Sequence, residues 1–365
     1  MLSKAISYVP TLTLRPSEVK AMEFLHNITK DNMTPCFLLA PWLNSSTLYR
    51  SIEKIEEVYQ QRHYFLDIDY DYTAVKLDLK PQKEFSSLKD SSNSFSNWVE
   101  FIEQSKWIIP CVQLHEQSEK DICEQIRGCG NGGRDLCIRI SRNYSPSNTN
   151  EIYRAISHSN SANIYIILEG GWVPYFSHHE IAALESWFRG KIHELVHGID
   201  TDSNISIIIS YTSAPKEFAL MRGITRIPLE NRTVYESLKP LSNQVNFIYG
   251  DWGSTCARPP RRVLRSPWPR IDYPTSDSLY IARNKEEGWT FQDAAAKLME
   301  RDGVWGGDSG AWGEEMIRNT AFHEELGINT SPKNVAARIN IHLHRQAFYD
   351  EPDLGALDLE EDWVD

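Results

Sequence analysis

Eight short apolar runs rich in β-branched residues recur about every 30 residues through position 250. Each but the last is followed by a stretch with helical spacing. The runs are Ile6–Leu14, Cys36–Ala40, Tyr64–Ile68, Trp107–Leu114, Leu136–Ile140, Asn163–Leu168, Ile205–Ser210 and Gln244–Tyr249. A strand that is apolar throughout is covered on both faces, as helices packed on a parallel sheet cover it. Crossovers of this kind are right-handed, and eight of them close into a barrel of about 250 residues. The pattern predicts an α/β fold, a (β/α)8 TIM-like barrel over residues 1–250. An open doubly wound sheet is the alternative, but no glycine-rich dinucleotide fingerprint follows the first run.

The helical stretches carry their own signals. Pro16 suits a first helical position ahead of Val19, Met22 and Leu25. Asn44, Ser45 or Ser46 is expected to cap a helix whose apolar face is Leu48, Ile52, Ile55 and Tyr59. The clearest helix follows the sixth run, where Ile181, Leu184, Phe188, Ile192 and Leu195 step by three and four. Residues 251–349 exceed what one closing helix needs, and are expected to complete and cap the barrel as an α-rich extension. There Thr290 and Asp293 form a capping box, and Ser331-Pro332 reads as N-cap and first position of a last helix. Residues 350–365 carry eight acidic side chains and read as a mobile acidic tail.

With 11 Trp, 16 Tyr and 13 Phe, wholesale disorder is excluded. A net charge of −12 argues against indiscriminate coating of DNA or anionic lipid. No apolar run approaches the roughly 18 residues that span a bilayer, so no membrane partner is expected, and the N-terminus lacks a secretion signal. Six cysteines without paired zinc-type spacing read as reduced thiols of a cytoplasmic protein.

Active sites of such barrels form where the strands end. The residues there are Arg15, Trp42, Asp67, Asp69, Gln113, His115, Arg139, Arg142, Glu169, Tyr211 and Asp251. Asp67, Asp69, Glu169 and Asp251 are the catalytic candidates, four carboxylates expected at one mouth, with Arg139 and Arg142 to offset their repulsion. Alternation places Asp67 and Asp69 on one side of the chain. No cofactor is called for; a divalent metal is the one addition such carboxylates would accept. The run Arg258–Arg270 packs five arginines and four prolines into thirteen residues. Its Arg258, Arg261, Arg262 and Arg265 are candidates for meeting a partner, since guanidinium forks suit phosphate or carboxylate groups. Nucleic acid is the less favoured partner, because no aromatic-interleaved RNA-binding motif accompanies them. The string His193-Glu194-Leu195-Val196-His197 matches zincin letters, but it closes the clearest helix, beside its apolar face, and reads as coincidence.

The opening YVPTLTLRPSEVKAMEFL and Thr34-Pro35 resemble the start of the beta protein family of temperate and satellite phages and bacterial genomes. Further matches are Tyr211–Pro215, Thr225–Pro228 with Glu230, Tyr249-Gly250-Asp251, Leu279–Arg283, Ala311-Trp312-Gly313 and Asn340-Ile341-His342. The resemblance spans about residues 7–344. It departs at Thr13-Leu14-Arg15, where the family often has a lysine, and at Asn334-Val335, where it often has an aromatic. The family brings no established reaction. The resemblance raises Asp251, Trp312, Arg338, Asn340 and His342 as pocket candidates. With Arg15, Trp42, Gln113, Arg139 and Tyr211, they make up the expected ligand-binding set. It also implies an accessory role in anti-phage or abortive-infection modules, beside a co-encoded growth-inhibiting protein that it restrains. The expected function is a non-catalytic regulator or sensor that binds such a toxic partner or a small acidic or phosphorylated ligand. The alternative is a barrel hydrolase or phosphodiesterase using the carboxylates.

Overall fold

The computed structural model describes residues 6–74, 76–114, 117–143, 149–157, 161–198, 204–256, 268–307, 309–323 and 326–352. His115, Arg258, Arg261, Arg262, Arg265 and most of the acidic tail lie outside the described residues.

All eight apolar runs form strands. They are β1 (Tyr8–Thr13), β2 (Cys36–Leu39), β3 (Tyr64–Ile68), β4 (Ile108–Val112), β5 (Leu136–Ser141), β6 (Ile164–Trp172), β7 (Ile205–Thr212) and β9 (Asn246–Asp251), with β8 (Gly223–Pro228) lying elsewhere. The eight pair in parallel, in sequence order, and close through β9 onto β1. The fold is therefore the expected closed barrel. The helices between strands are α1 (Pro16–Glu23), α2 (Asn27–Asp31), α3 (Arg50–Tyr59), α4 (Lys80–Ser87), α5 (Ser96–Ile102), α6 (Glu119–Cys129), α7 (Thr149–Ser157), α8 (His178–Gly198) and α9 (Asn231–Leu238).

Alternation along the strands separates two buried layers. Val9, Cys36, Leu38, Phe65, Ile109, Cys111, Cys137, Tyr165, Ile167, Ile208, Ile248 and Trp252 fill the barrel. The intervening residues, such as Tyr8, Leu66, Ile138, Leu168 and Tyr249, pack against the helices. This parity decides which strand-end side chains enter the mouth.

Past the barrel, β10 (Ile271–Pro274) and β11 (Ser278–Arg283) form an antiparallel sheet with β8. The helices α10 (Phe291–Met299), α11 (Trp312–Ala321) and α12 (Ser331–Ala347) complete a second core against it. Helix α12 belongs to both cores. Ile339 and Leu343 face the barrel layer, and Ala337 and Ile341 face the second core. It packs beside α1 as the barrel's eighth helix. Ser17 donates to the Pro332 carbonyl at 3.1 Å, which places its first turn at the strand-end side.

The expected capping box is present: Asp293 N–H donates to Thr290 Oγ1 at 3.1 Å, and Thr290 N–H to Asp293 Oδ2 at 2.8 Å. Two expected caps are corrected. Helix α3 starts at Arg50 behind Tyr49, with no side-chain cap. Ser45 instead donates to the Trp42 carbonyl, closing a turn ahead of the helix. Helix α12 has Thr330 as its N-cap, so Ser331 and Pro332 are its first two residues.

Candidate functional site at the barrel mouth

Asp67 and Glu169 share the interior parity of Phe65 and of Tyr165 and Ile167, so both enter the mouth. Arg139, two residues after Cys137, lies between them. Its Nη1 meets Asp67 Oδ2 at 3.0 Å and its Nη2 lies 3.8 Å from Glu169 Oε2. The Trp252 ring centre lies 5.9 Å from the guanidinium carbon. Burial disfavours the Arg139 charge, but the two carboxylates more than offset that and hold it protonated.

Both carboxylates are crowded with donors. Asp67 Oδ1 accepts from Gln113 Nε2 at 2.9 Å and from Ile68 N–H at 2.8 Å. Glu169 Oε2 accepts from Trp252 Nε1 at 2.9 Å and Ser210 Oγ at 3.2 Å, and Oε1 accepts from Gly171 N–H at 2.7 Å. The last bond depends on the Glu-Gly-Gly sequence. Gly171 has φ +73°, and the strand register shifts there. At Gly170 a Cβ would stand 2.5 Å from Leu184 of α8. Despite these donors, burial pushes the Glu169 carboxyl above its usual range, with Arg139 and Trp252 opposing.

Asp69 is buried one alternation step beyond Asp67. Lys89, whose ammonium lies 5.1 Å over the Tyr70 ring and 4.5 Å over Phe85, feels its charge. Tyr70 donates to Gln113 Oε1 at 3.1 Å. Lys89, Tyr70, Ser210 and Trp252 thus join the mouth beside the expected residues. Lys89 sits in a polar, Ser-rich stretch with no visible periodicity, so nothing in the sequence marks it.

Two expected mouth residues point elsewhere. Asp251 has the outward parity of Tyr249. Its Oδ1 accepts from Tyr8 OH at 2.7 Å and Gly253 N–H at 2.8 Å, and its Oδ2 accepts from Tyr249 OH at 3.0 Å. His342 Nε2 of α12 lies 2.7 Å from Oδ2. Burial opposes the Asp251 charge, but His342 and the other donors hold the carboxyl below its usual range. Asp251 and His342 therefore clasp α12 to the barrel wall. Tyr211 is buried against Phe188 of α8, on the same outer layer. The four carboxylates do not form one ring.

Other expected ligand residues also have structural partners. Asn340 joins three helices, accepting from Gly313 N–H at 3.0 Å and donating to the Ala21 carbonyl at 3.0 Å. Trp312 stacks on Phe24 at the far end of α1, with ring centres 4.6 Å apart. The backbone N–H of Trp42 donates to Ser51 Oγ at 3.0 Å near the end of β2. The backbone N–H of Arg142 donates to the Glu169 carbonyl at 2.8 Å.

Arg15 and Arg338 belong to a second cluster, between the mouth and the cap. Arg338 Nη1 meets Asp272 Oδ2 at 2.9 Å, and Arg270 Nε meets Asp272 Oδ1 at 2.8 Å. Arg283 donates to the Phe218 carbonyl, and Arg270 lies 3.6 Å over the Phe218 ring. Arg338, Lys216 and Arg15 act electrostatically on Cys256. Burial and Arg270 lower the pKa values of Arg338 and Arg283, against the opposing pull of Asp272. Buried guanidinium nitrogens lack acceptors at Arg15 Nη2, Arg283 Nε and Arg338 Nε. An unsatisfied buried polar group costs about 1–3 kcal/mol. Asp272 escaped the sequence reading, although Arg270-x-Asp272 puts both residues on one side of a strand.

Among the described residues no three His, Cys, Asp or Glu side chains are placed to hold a metal ion. His193 and His197 are exposed on the outer face of α8. The cysteines are free thiols, and Cys36, Cys111 and Cys137 lie inside the barrel. No described helix is long and apolar enough to cross a membrane.

The Beta protein family model matches residues 8–348, which takes in both cores. Protein beta of Enterobacteria phage P4 is 26% identical over 349 residues, covering 93% of this chain and 92% of that protein. No solved structure matches the chain. The matched span runs from the first barrel strand through α12, and the chain belongs to the Beta protein family.

Proposed function

We propose that this chain is a non-catalytic regulator or sensor. Its strand-end side takes a small acidic or phosphorylated ligand, and it acts on a co-encoded growth-inhibiting protein within a phage defence module. The partner half of this reading rests on the family resemblance. The observation that carries the ligand half is a contrast in hydrogen bonding. The mouth carboxylates are occupied by Arg139, Gln113, Trp252, Ser210 and backbone N–H groups, whereas buried guanidinium nitrogens of Arg15, Arg283 and Arg338, and the Nε of Arg139 itself, have no acceptor. Carboxylates held in this way have few lone pairs left for proton transfer or metal binding. Unpaired guanidinium groups call for an anion.

The test is co-purification of the chain with the products of its neighbouring genes. A stable complex that persists with Asp67→Asn and Glu169→Gln is expected, together with unimpaired restraint of growth inhibition. Absence of any complex overturns the partner half.

A second reading, a barrel hydrolase or phosphodiesterase, is favoured by one observation. Glu169 has a raised pKa beside an arginine, as a general acid would. That reading requires Glu169→Gln to abolish function in a folded protein.

A further inference from the structure

We infer that Arg15, Arg270, Arg283, Arg338 and Lys216 form a phosphoryl-binding chamber between the barrel mouth and the cap, separate from the Asp67–Arg139–Glu169 ring. The inference rests on the ligand-binding reading above, and gives that ligand a location and a chemical class.

Three separate parts of the fold supply the cations. Arg15 precedes α1 at the end of β1, and Lys216 follows β7. Arg270, Arg283 and Arg338 come from the cap, at β10, β11 and α12. Such convergence of like charges is unfavourable by itself. Asp272 serves both Arg270 and Arg338, at 2.8 and 2.9 Å. Glu18 is the other carboxylate near the group, and it accepts from Thr13 Oγ1 at 2.6 Å. Among the described residues, Asp272 and Glu18 thus stand among five cations, an imbalance that a multiply charged anion matches better than a single carboxylate does.

Hydrogen bonding points the same way. Arg338 and Arg283 are each only 6% exposed, yet each has an Nε without an acceptor, and Arg15 has a buried Nη2 without one. A phosphoryl group offers several acceptor oxygens to guanidinium forks, and its charge is of the required sign. Aromatic rings hold two of the cations in place. Lys216 lies 3.7 Å over Trp172, and Arg270 lies 3.6 Å over Phe218. Arg139 at the mouth also has a buried Nε without an acceptor, but there one guanidinium stands between two carboxylates, so the charge is balanced within the protein.

Cys256 gives the chamber a local reporter. It is partly exposed and senses Arg338, Lys216 and Arg15. Cys123 is the other partly exposed described thiol, so a Cys123→Ser background isolates it. The experiment titrates inorganic pyrophosphate into the full chain at constant ionic strength. It follows binding by calorimetry and Cys256 alkylation by rate. Saturable binding is expected, with Cys256 alkylation slowed about fivefold or more and with Arg338→Gln and Arg283→Gln each weakening binding at least about tenfold. Arg139→Lys is expected to bind as the parent does.

Absence of saturable binding by the folded parent overturns the chamber. So does binding that Arg338→Gln and Arg283→Gln leave unchanged, or that leaves Cys256 alkylation unchanged. If binding survives those variants but is lost in Arg139→Lys, the chamber falls while the ligand-binding reading stands, with its site at the mouth. Binding of chloride or citrate equal to that of pyrophosphate overturns the phosphoryl assignment.

Discussion

The barrel mouth and the chamber beneath the cap both bury arginines, but they balance them differently. At the mouth, Arg139 lies between Asp67 and Glu169, and each carboxylate has further donors. In the chamber, Asp272 serves two arginines while Arg283 and Arg15 keep unpaired nitrogens. Proximity to a strand end therefore does not define a site. What distinguishes the two regions is whether the protein itself satisfies the charge. Unpaired guanidinium nitrogens occur in both, at Arg139 as at Arg15, Arg283 and Arg338, so the difference lies in charge balance: the mouth sets two carboxylates around its arginine, and the chamber sets one aspartate between two arginines.

The largest effect that sharpens this contrast is expected at the mouth. Arg139→Met strands two buried carboxylates, and should cost about 4–5 kcal/mol in chemical denaturation. A loss near 1 kcal/mol would mean that the ring does not depend on its arginine. At the barrel wall, Asp251→Asn keeps the shape but removes the charge that faces His342, Tyr8 and Tyr249. It should cost about 3 kcal/mol, measured the same way.

A third prediction concerns acid stability. His344 of α12 is buried, with its Nδ1 2.9 Å from Thr29 Oγ1, and burial lowers its pKa from 6.5 to about 4. The unfolded chain takes up this proton first. The stabilising contribution is therefore complete above pH 6.5 and is lost as pH falls toward about 4, amounting to roughly 3 kcal/mol. Denaturation midpoints across that window should fall in the parent and fall less in His344→Gln. Parallel profiles would remove His344 as the source. Glu169 has the opposite sign. Its folded pKa is raised, so ionisation costs stability as pH climbs through it. Glu169→Gln removes that ionisation but accepts on one oxygen only, leaving either Gly171 N–H or Trp252 Nε1 without its acceptor, and should cost about 1–3 kcal/mol at pH 7.

The barrel was legible because its signal is repeated. Eight apolar runs, each buried on both faces, leave little freedom in how they pair. Alternation was legible for Asp67 and Asp69; Arg139 and Glu169 were named from their places at strand ends, and their interior parity comes from the structure. Asp251 shows where that reading ended. The run Gln244–Tyr249 was read without deciding which face of its last residues turns inward, and Asp251 has the outward parity of Tyr249. The cap was less legible because β8 lies between β7 and β9 in sequence but pairs with β11, more than fifty residues later. Nothing local in Gly223–Pro228 announces a partner at that distance. Asn340 and Trp312 were marked by motif resemblance alone, which does not separate a residue that holds helices together from one that touches a ligand.

The contrast between the two regions is tested most directly by denaturing Arg139→Met and Arg338→Gln side by side without added anion. Removing Arg338 leaves Asp272 paired with Arg270, so the account predicts a change within about 1 kcal/mol for Arg338→Gln, against a loss of several for Arg139→Met. Equal losses in the two variants would contradict it, because the chamber would then be as fully balanced as the mouth.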